Sequence, residues 1–231
     1  MQNKKTVIIS LGGSLIVPDE IDWKFVKDFK KLIEKYIKKK CKFIIITGGG
    51  KICRKYQDAA SKITQLTDDD RDWLGIHTTR LNAHFIRTVF RKYAHPRINK
   101  NPNDLEDFYN FKESILVAAG WKPGFSTDYD AILLAKYLGF TTVVNFSNID
   151  YVYDKDPNKF KNVKKIENIS WKDYRKMVGD KWDPGMNAPF DPIASKLAQE
   201  ENIEVAIMNG KNLENLENYL EGRKFKGTII K

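Results

Sequence analysis

Apolar side chains recur along this chain in short, nearly unbroken runs. "TVIISL" at Thr6–Leu11 is the first, followed by runs at Phe43–Thr47, Ile115–Ala118, Thr142–Phe146 and Glu204–Met208. Continuous β-branched runs without polar alternation predict strands buried on both faces, as in a mainly parallel sheet. Between them the period changes. From about Trp23 to Lys39 the residues Phe29, Leu32, Ile33, Tyr36 and Ile37 recur at helical spacing with lysines between them, which predicts an amphipathic helix. Further helical patterns lie near Lys51–Lys62, Asp70–Tyr93, Tyr129–Leu138 and Ile193–Glu200. The longest of these carries Leu74, Leu81, Phe85, Ile86, Val89 and Phe90 on one stripe, and the Pro, Asn and Asp content of "AHPRINKNPND" after it predicts a loop. Strands alternating with helices predict an α/β fold with helices on both faces of the sheet. A coarse boundary near residue 140 would separate an earlier lobe from a later one, and no internal repeat is visible.

Composition narrows this picture little. Hydrophobic residues make up 42% and charged residues 30%, a globular balance that suggests neither disorder nor a membrane protein. "MQNKKTVIISLGG" enters the first strand without a signal-peptide layout, so a soluble intracellular protein is expected. Cys41 and Cys53 are too few for a disulfide framework, and His77, His84 and His95 have no metal-ligand spacing, so no structural metal is expected. The net charge of +10 favours acidic ligands. Much of the excess lies in "KDFKKLIEKYIKKKCK", where the lysines read as the solvated face of the first long helix rather than as a nucleic-acid patch.

Chemistry concentrates where strands end. "SLGGSL" at Ser10–Leu15 and "TGGGKICRKY" at Thr47–Tyr56 are both glycine turns between a strand and a helical pattern, where bare amides and the helix dipole suit an anion. Neither is a GxxxxGK[ST] loop or a spaced GxGxxG fingerprint. A single turn of this kind could be only a tight connection, but two after adjacent strands point to a polyanionic ligand. Lys51 and Arg54 follow the second turn on one helix face, placed for phosphate contact. In "GWKPGFSTDYDAILLAKYLG", Thr127 and Asp130 have the spacing of a capping box, while Lys122, Gly124, Ser126 and Asp128 make the loop before it more polar and flexible than a cap requires. A ligand loop containing a structural cap fits both features. "DKDP" after the Thr142–Phe146 strand is a turn signal.

Taken in order, "SLGGSL", "TGGGKICRKY", "DWLGIHTTRLNA", "KPGFSTDYDAILLAKYLG", "NFSNIDYVYDKDP", "DPIASKLAQEENIEVAIMNG" and "GTIIK" resemble the amino-acid kinase family, and within it the archaeal-type UMP kinases. Thr47 precedes the triple glycine where relatives acting on acetylglutamate or isopentenyl phosphate usually have a nearby histidine, which favours the nucleotide branch. The resemblance implies a three-layer α/β/α sandwich forming one domain over residues 1–231. Its acceptor lobe would run to about residue 140, and its ATP lobe would follow from about 141. It implies ATP with Mg2+ as phosphoryl donor, UMP as acceptor, a place in pyrimidine nucleotide biosynthesis, the cytoplasm and a homohexamer.

By the same resemblance, Gly13, Ser14, Gly50, Ser147, Asn148, Tyr153 and Asp156 would hold ATP. UMP would be held by Gly49, Asp72 and the run Trp121, Lys122, Pro123, Gly124, Phe125, Ser126 and Thr127, with Asp72 on the ribose. Arg54 would lie between the two nucleotides, and Arg54 and Lys196 are the catalytic candidates. Ser10 stands where the wider family often has lysine, and Tyr151 where it usually has glycine. Two other readings stay open: another phosphate or carboxylate acceptor on the same fold, and a non-catalytic nucleotide or oxyanion binder. RNA binding is disfavoured because no recognition module accompanies the basic residues.

Overall fold

The computed structural model describes residues 5–104, 111–157, 159–179, 181 and 188–231. Its centre is a seven-stranded sheet built from β1 (Thr6–Leu11), β2 (Lys42–Thr47), β3 (Ile115–Ala118), β4 (Thr142–Ser147), β7 (Asn168–Ile169), β8 (Glu204–Asn209) and β9 (Thr228–Ile230). The strands lie in the order β3-β2-β1-β4-β8-β9-β7. All neighbours are parallel except β8 and β9. A separate antiparallel pair, β5 (Val152–Tyr153) with β6 (Lys165–Ile166), follows β4.

Successive strand residues point to opposite faces, and the two faces bury separate clusters. Val7, Ile9, Leu11, Phe43 and Ile45 pack on one side with Phe29 and Ile33 of α2 (Trp23–Lys38), Ala83 and Ile86 of α4 (Asp68–Val89), and Leu216 of α8 (Leu213–Leu220). Ile8, Ile44, Ile46 and Val143 pack on the other with Ala131 and Leu134 of α5 (Thr127–Leu138), Trp171 and Tyr174 of α6 (Trp171–Val178), and Ala194 and Ala198 of α7 (Pro192–Glu200). The result is the expected three-layer α/β/α sandwich.

Several elements depart from the sequence pattern. β5, β6, β7 and β9 are two or three residues long, too short to carry a period, and α6 and α8 were likewise not predicted. The helix expected from about Asp70 begins at Asp68, and Asp70 is its third residue. It closes a capping box with Thr67, the Thr67 N–H donating to Asp70 Oδ2 at 3.0 Å and the Asp70 N–H to Thr67 Oγ1 at 3.1 Å. Leu81, expected on the packed stripe, is 64% exposed, while Thr78, Thr79 and Asn82 are buried in its place. Thr79 and Asn82 satisfy backbone groups of neighbouring loops, which an apolar side chain could not do, while Thr78 Oγ1 donates to Gly75 O of its own helix.

The chain runs from β1 outward through β2 to β3, then returns to lay β4 against the other edge of β1. In an open α/β sheet the crevice at such a reversal, beyond the strands' carboxyl ends, is where ligands bind. No helix among the described residues is long and apolar enough to cross a membrane.

Candidate functional site

Two glycine turns meet at this reversal. The first leads from β1 into the short helix α1 (Gly13–Ile16), and the second leads from β2 into α3 (Gly50–Ser61). They touch backbone to backbone. A Cβ on Gly13 would lie 2.1 Å from Gly50 N and 2.5 Å from Gly48 C, and one on Gly50, whose φ is +73°, would lie 2.5 Å from Gly13 O. Bare backbone is therefore required first by this abutment. The first-turn N–H groups of α3 have no intrahelical partner; that of Lys51 donates to Val17 O at 3.1 Å, which leaves the others of the turn to suit an anion.

Helix α4 holds the second turn from outside. Asn82 Nδ2 donates to Gly48 O (2.8 Å) and Gly49 O (3.2 Å), and Thr47 Oγ1 donates to Thr79 O (3.0 Å). Lys51 and Arg54 project from α3 and are exposed. Lys51 pairs with Asp19 at 3.0 Å, so this lysine is tied to the α1–α2 loop rather than directed at the glycines.

The loop after β3 forms one wall. Trp121 and Phe125 stack with centroids 5.5 Å apart, Phe125 meets Tyr129 at 4.5 Å, and Lys122 Nζ lies 4.1 Å from the Trp121 ring centroid. The Gly124 N–H, in a turn with φ +84°, donates to Asp72 Oδ2 at 2.7 Å. Asp72 thus reaches this loop from the first turns of α4, bringing it together with residues 121–127. The helix after the loop is capped one residue earlier than its spacing suggests. Ser126 accepts the Tyr129 N–H at 3.2 Å, so Thr127 opens α5. Asp130 turns inward, where its Oδ2 accepts the Trp121 N–H at 3.2 Å.

On the other side of β1 lies a cavity of about 460 Å³, within the range that holds a small molecule. Ser147, Asn148, Tyr153 and Asp156 all line it, together with Tyr151, Met177 and Val178. Tyr151, where the wider family usually has glycine, packs edge-on to Tyr153 at 6.4 Å. Met177 and Val178 come from α6, which the sequence pattern did not reveal.

Between the two walls is an acidic centre. Asp128 Oδ1 accepts from Ser10 Oγ (2.9 Å) and Asn145 Nδ2 (2.8 Å), joining α5, β1 and β4. Ser10 therefore spends its hydroxyl on a carboxyl group. Asp128 keeps some exposed surface as a residue, but its carboxyl group is enclosed. Burial pushes that carboxyl up to about 7, assisted by the charge of Asp191 and opposed by Ser10 and Asn145. Burial also raises Asp130, to about 8, against the opposing Trp121 N–H, and raises Asp191, the N-cap of α7. Asn145 Oδ1, Ser147 Oγ and Asp130 Oδ1 are buried without a hydrogen-bond partner among the described residues. Buried polar atoms of this kind are few in native proteins; these three lie on elements that bound the crevice, and a fourth, Arg87 Nε, lies on α4. Lys196 is exposed on α7, one turn beyond the helix start at Pro192.

The acidic centre gives stability a definite pH dependence. A carboxyl whose folded pKa is raised holds its proton longer in the native state, so its contribution is complete below the ordinary carboxylate range and is lost as pH rises through about 7 to 8. Asp130→Asn removes one such group while Asp128, Asp191 and Arg80 stay. We expect the melting temperature of the wild type to fall from about pH 4 until about pH 8 and then to level off, and that of Asp130→Asn to fall less steeply over the same range. Parallel curves for the two proteins would show Asp130 already ionised at neutral pH.

A sequence model of the amino acid kinase family matches residues 5–209. The chain is 32% identical to the uridylate kinase of Thermococcus sibiricus over 225 residues, covering 97% of this chain and 98% of that one. It is 33% identical to the uridylate kinase of Thermoplasma volcanium, covering 98% and 97%. The crystal structure of the Archaeoglobus fulgidus uridylate kinase superposes with a TM-score of 0.81 at 26% identity, covering 98% of this chain and all of that one.

Proposed function

The chain belongs to the amino acid kinase family, and from that premise we infer that it is a UMP kinase, transferring the γ-phosphoryl group of ATP to UMP to give UDP and ADP. The observation that carries this reading is the pair of abutting glycine turns between an aromatic, cationic loop on one side and a nucleoside-sized cavity on the other. Near full-length similarity to uridylate kinases supports the same acceptor.

In this reading the acceptor lobe, to about residue 140, holds UMP with Gly49, Asp72 and residues 121–127. The lobe from about 141 holds ATP with Ser147, Asn148, Tyr153 and Asp156, and Gly13, Ser14 and Gly50 face its phosphates. Arg54 stands between the nucleotides, and Lys196 reaches the migrating phosphoryl group. The UMP phosphate is already an anionic nucleophile, so no general base is needed. The work is alignment of two polyanions and neutralisation of their charge. Mg2+ carried on the ATP phosphates would supply part of that neutralisation; among the described residues no cluster of His, Cys, Asp and Glu offers it a site of its own. The enzyme would act in the cytoplasm, in pyrimidine nucleotide synthesis, as a homohexamer.

An acceptor panel tests the assignment. ADP formation, followed by a coupled assay with UMP, CMP, dUMP, AMP, isopentenyl phosphate and acetylglutamate, should show UMP preferred over CMP by about tenfold or more in kcat/KM. A site built to pair with one base leaves its polar groups unsatisfied by another. Equal use of UMP and CMP, or preference for a non-nucleotide, overturns it.

A further inference from the structure

The loop that follows β3 is fixed at its root by side chains from two different helices. The Gly120 N–H donates to Thr79 Oγ1 at 2.8 Å. Arg80 of α4 donates from Nε to Gly120 O at 3.3 Å and from Nη2 to Trp121 O at 2.9 Å. The Trp121 N–H donates to Asp130 of α5. Every backbone polar group of Gly120 and Trp121 is thus taken by a side chain, and two of those side chains are ionisable. Arg80 is half-buried beside the Trp73 ring, and Asp130 is 1% exposed. Enclosing the Asp130 carboxyl and half-burying the Arg80 guanidinium is costly, and apolar residues could fill the same volume more cheaply. Nor is either needed to start or end its helix, since Thr67 caps α4 and Ser126 caps α5. What they do is hold two peptide units in place where the chain leaves the sheet.

We propose that Arg80 and Asp130 are positioning residues that together fix the root of the 120–126 loop, and with it the aromatic wall that receives the acceptor nucleotide. The inference rests on the UMP kinase reading for the identity of that acceptor. The planar fork of Arg80 spans two successive carbonyls, which a lysine ammonium cannot do with the same geometry. Asp130 uses one oxygen on the Trp121 amide and leaves the other without a partner among the described residues. An asparagine can therefore keep the working contact, and a leucine cannot.

Arg80→Lys, Asp130→Leu and Asp130→Asn are compared with the wild type by steady-state kinetics and by amide hydrogen exchange of residues 120–126 without nucleotide. Arg80→Lys and Asp130→Leu should raise KM for UMP about tenfold or more while KM for ATP moves by less than about twofold, the signature of lost acceptor binding. Their loop amides should exchange about tenfold faster or more, with the strands unchanged, and Asp130→Asn should restore both readouts relative to Asp130→Leu. The proposal is overturned if loop exchange is unaltered. It is also overturned if both KM values and kcat worsen together as the melting temperature falls, which is general weakening of the fold. If one variant fails to fold, the other carries the comparison. Should the wild type leave UMP unphosphorylated, the acceptor assignment falls, while the exchange rates still decide whether Arg80 and Asp130 hold the loop.

Discussion

Gly13→Ala is expected to lower kcat/KM for UMP by about 10² or more and to reduce the melting temperature, because a shift of about 1 Å in a phosphate-aligning element already costs about that much. The added methyl would meet Gly50 N at 2.1 Å and the Gly48 carbonyl carbon and oxygen at 2.5 Å. These neighbours are main-chain atoms and cannot swing aside, so one turn must move away from the other. Overpacking of this kind costs about 1–3 kcal/mol, and sometimes more, where the surroundings are rigid. Gly124 provides the contrast. It has a φ of +84° but nothing within 4 Å of its would-be Cβ, so Gly124→Ala meets strain without a clash. Activity of Gly13→Ala within about tenfold of wild type would mean that the two turns do not jointly align the phosphates.

Lys196→Met should lower kcat by about 10² with little change in KM for UMP, as expected when one charge poised for the transition state is removed. The argument begins at Ser10, which stands on β1 where the wider family often carries a lysine. Ser10 is neutral and its hydroxyl is bound to Asp128. The cation that offsets the growing charge must then come from another element. Lys196 lies on α7 just beyond the Asp191 cap, and Asp191 is close enough to Asp128 to raise its pKa. Single-turnover measurements distinguish chemistry from product release. Unchanged turnover would return Lys196 to the surface and leave Arg54, the glycine amides and Mg2+ as the neutralising groups.

The long strands and helices were legible because burial on a sheet face or a helix stripe imposes a period on neighbouring residues. Val7 and Ile9 face one cluster and Ile8 the other, as an unbroken apolar run in a doubly covered strand requires. The glycine turns were legible as turns, but not as partners of each other. Contacts across the fold carry no local signal. Thr79, Arg80 and Asn82 look like an ordinary polar stretch of a helix until Gly48, Gly120 and Trp121 are brought beside them. Asp130 read as half of a capping box because Thr127 has the right spacing. Ser126 offers the same chemistry one residue earlier, and that choice frees Asp130 for the loop. Lys51 read as a phosphate contact, but Asp19, far back along the chain, engages it.

The place of β1 in the sheet also bears on how the polypeptide reaches its native state. Its residues pair with β2 along one edge, Thr6 against Lys42 through Leu11 against Thr47, and with β4 along the other, Ile8 against Val143 through Leu11 against Phe146. During synthesis the first edge finds its partner early, whereas the second waits until most of the chain has been made. Non-local pairing of this sort is slow because loop entropy must be lost before the contact forms. In the interval "TVIISL" presents an open, uncharged, strongly apolar strand edge, the kind of template on which unfinished chains associate. The edge that later borders the nucleotide crevice is thus the one most in need of protection while the protein is being made.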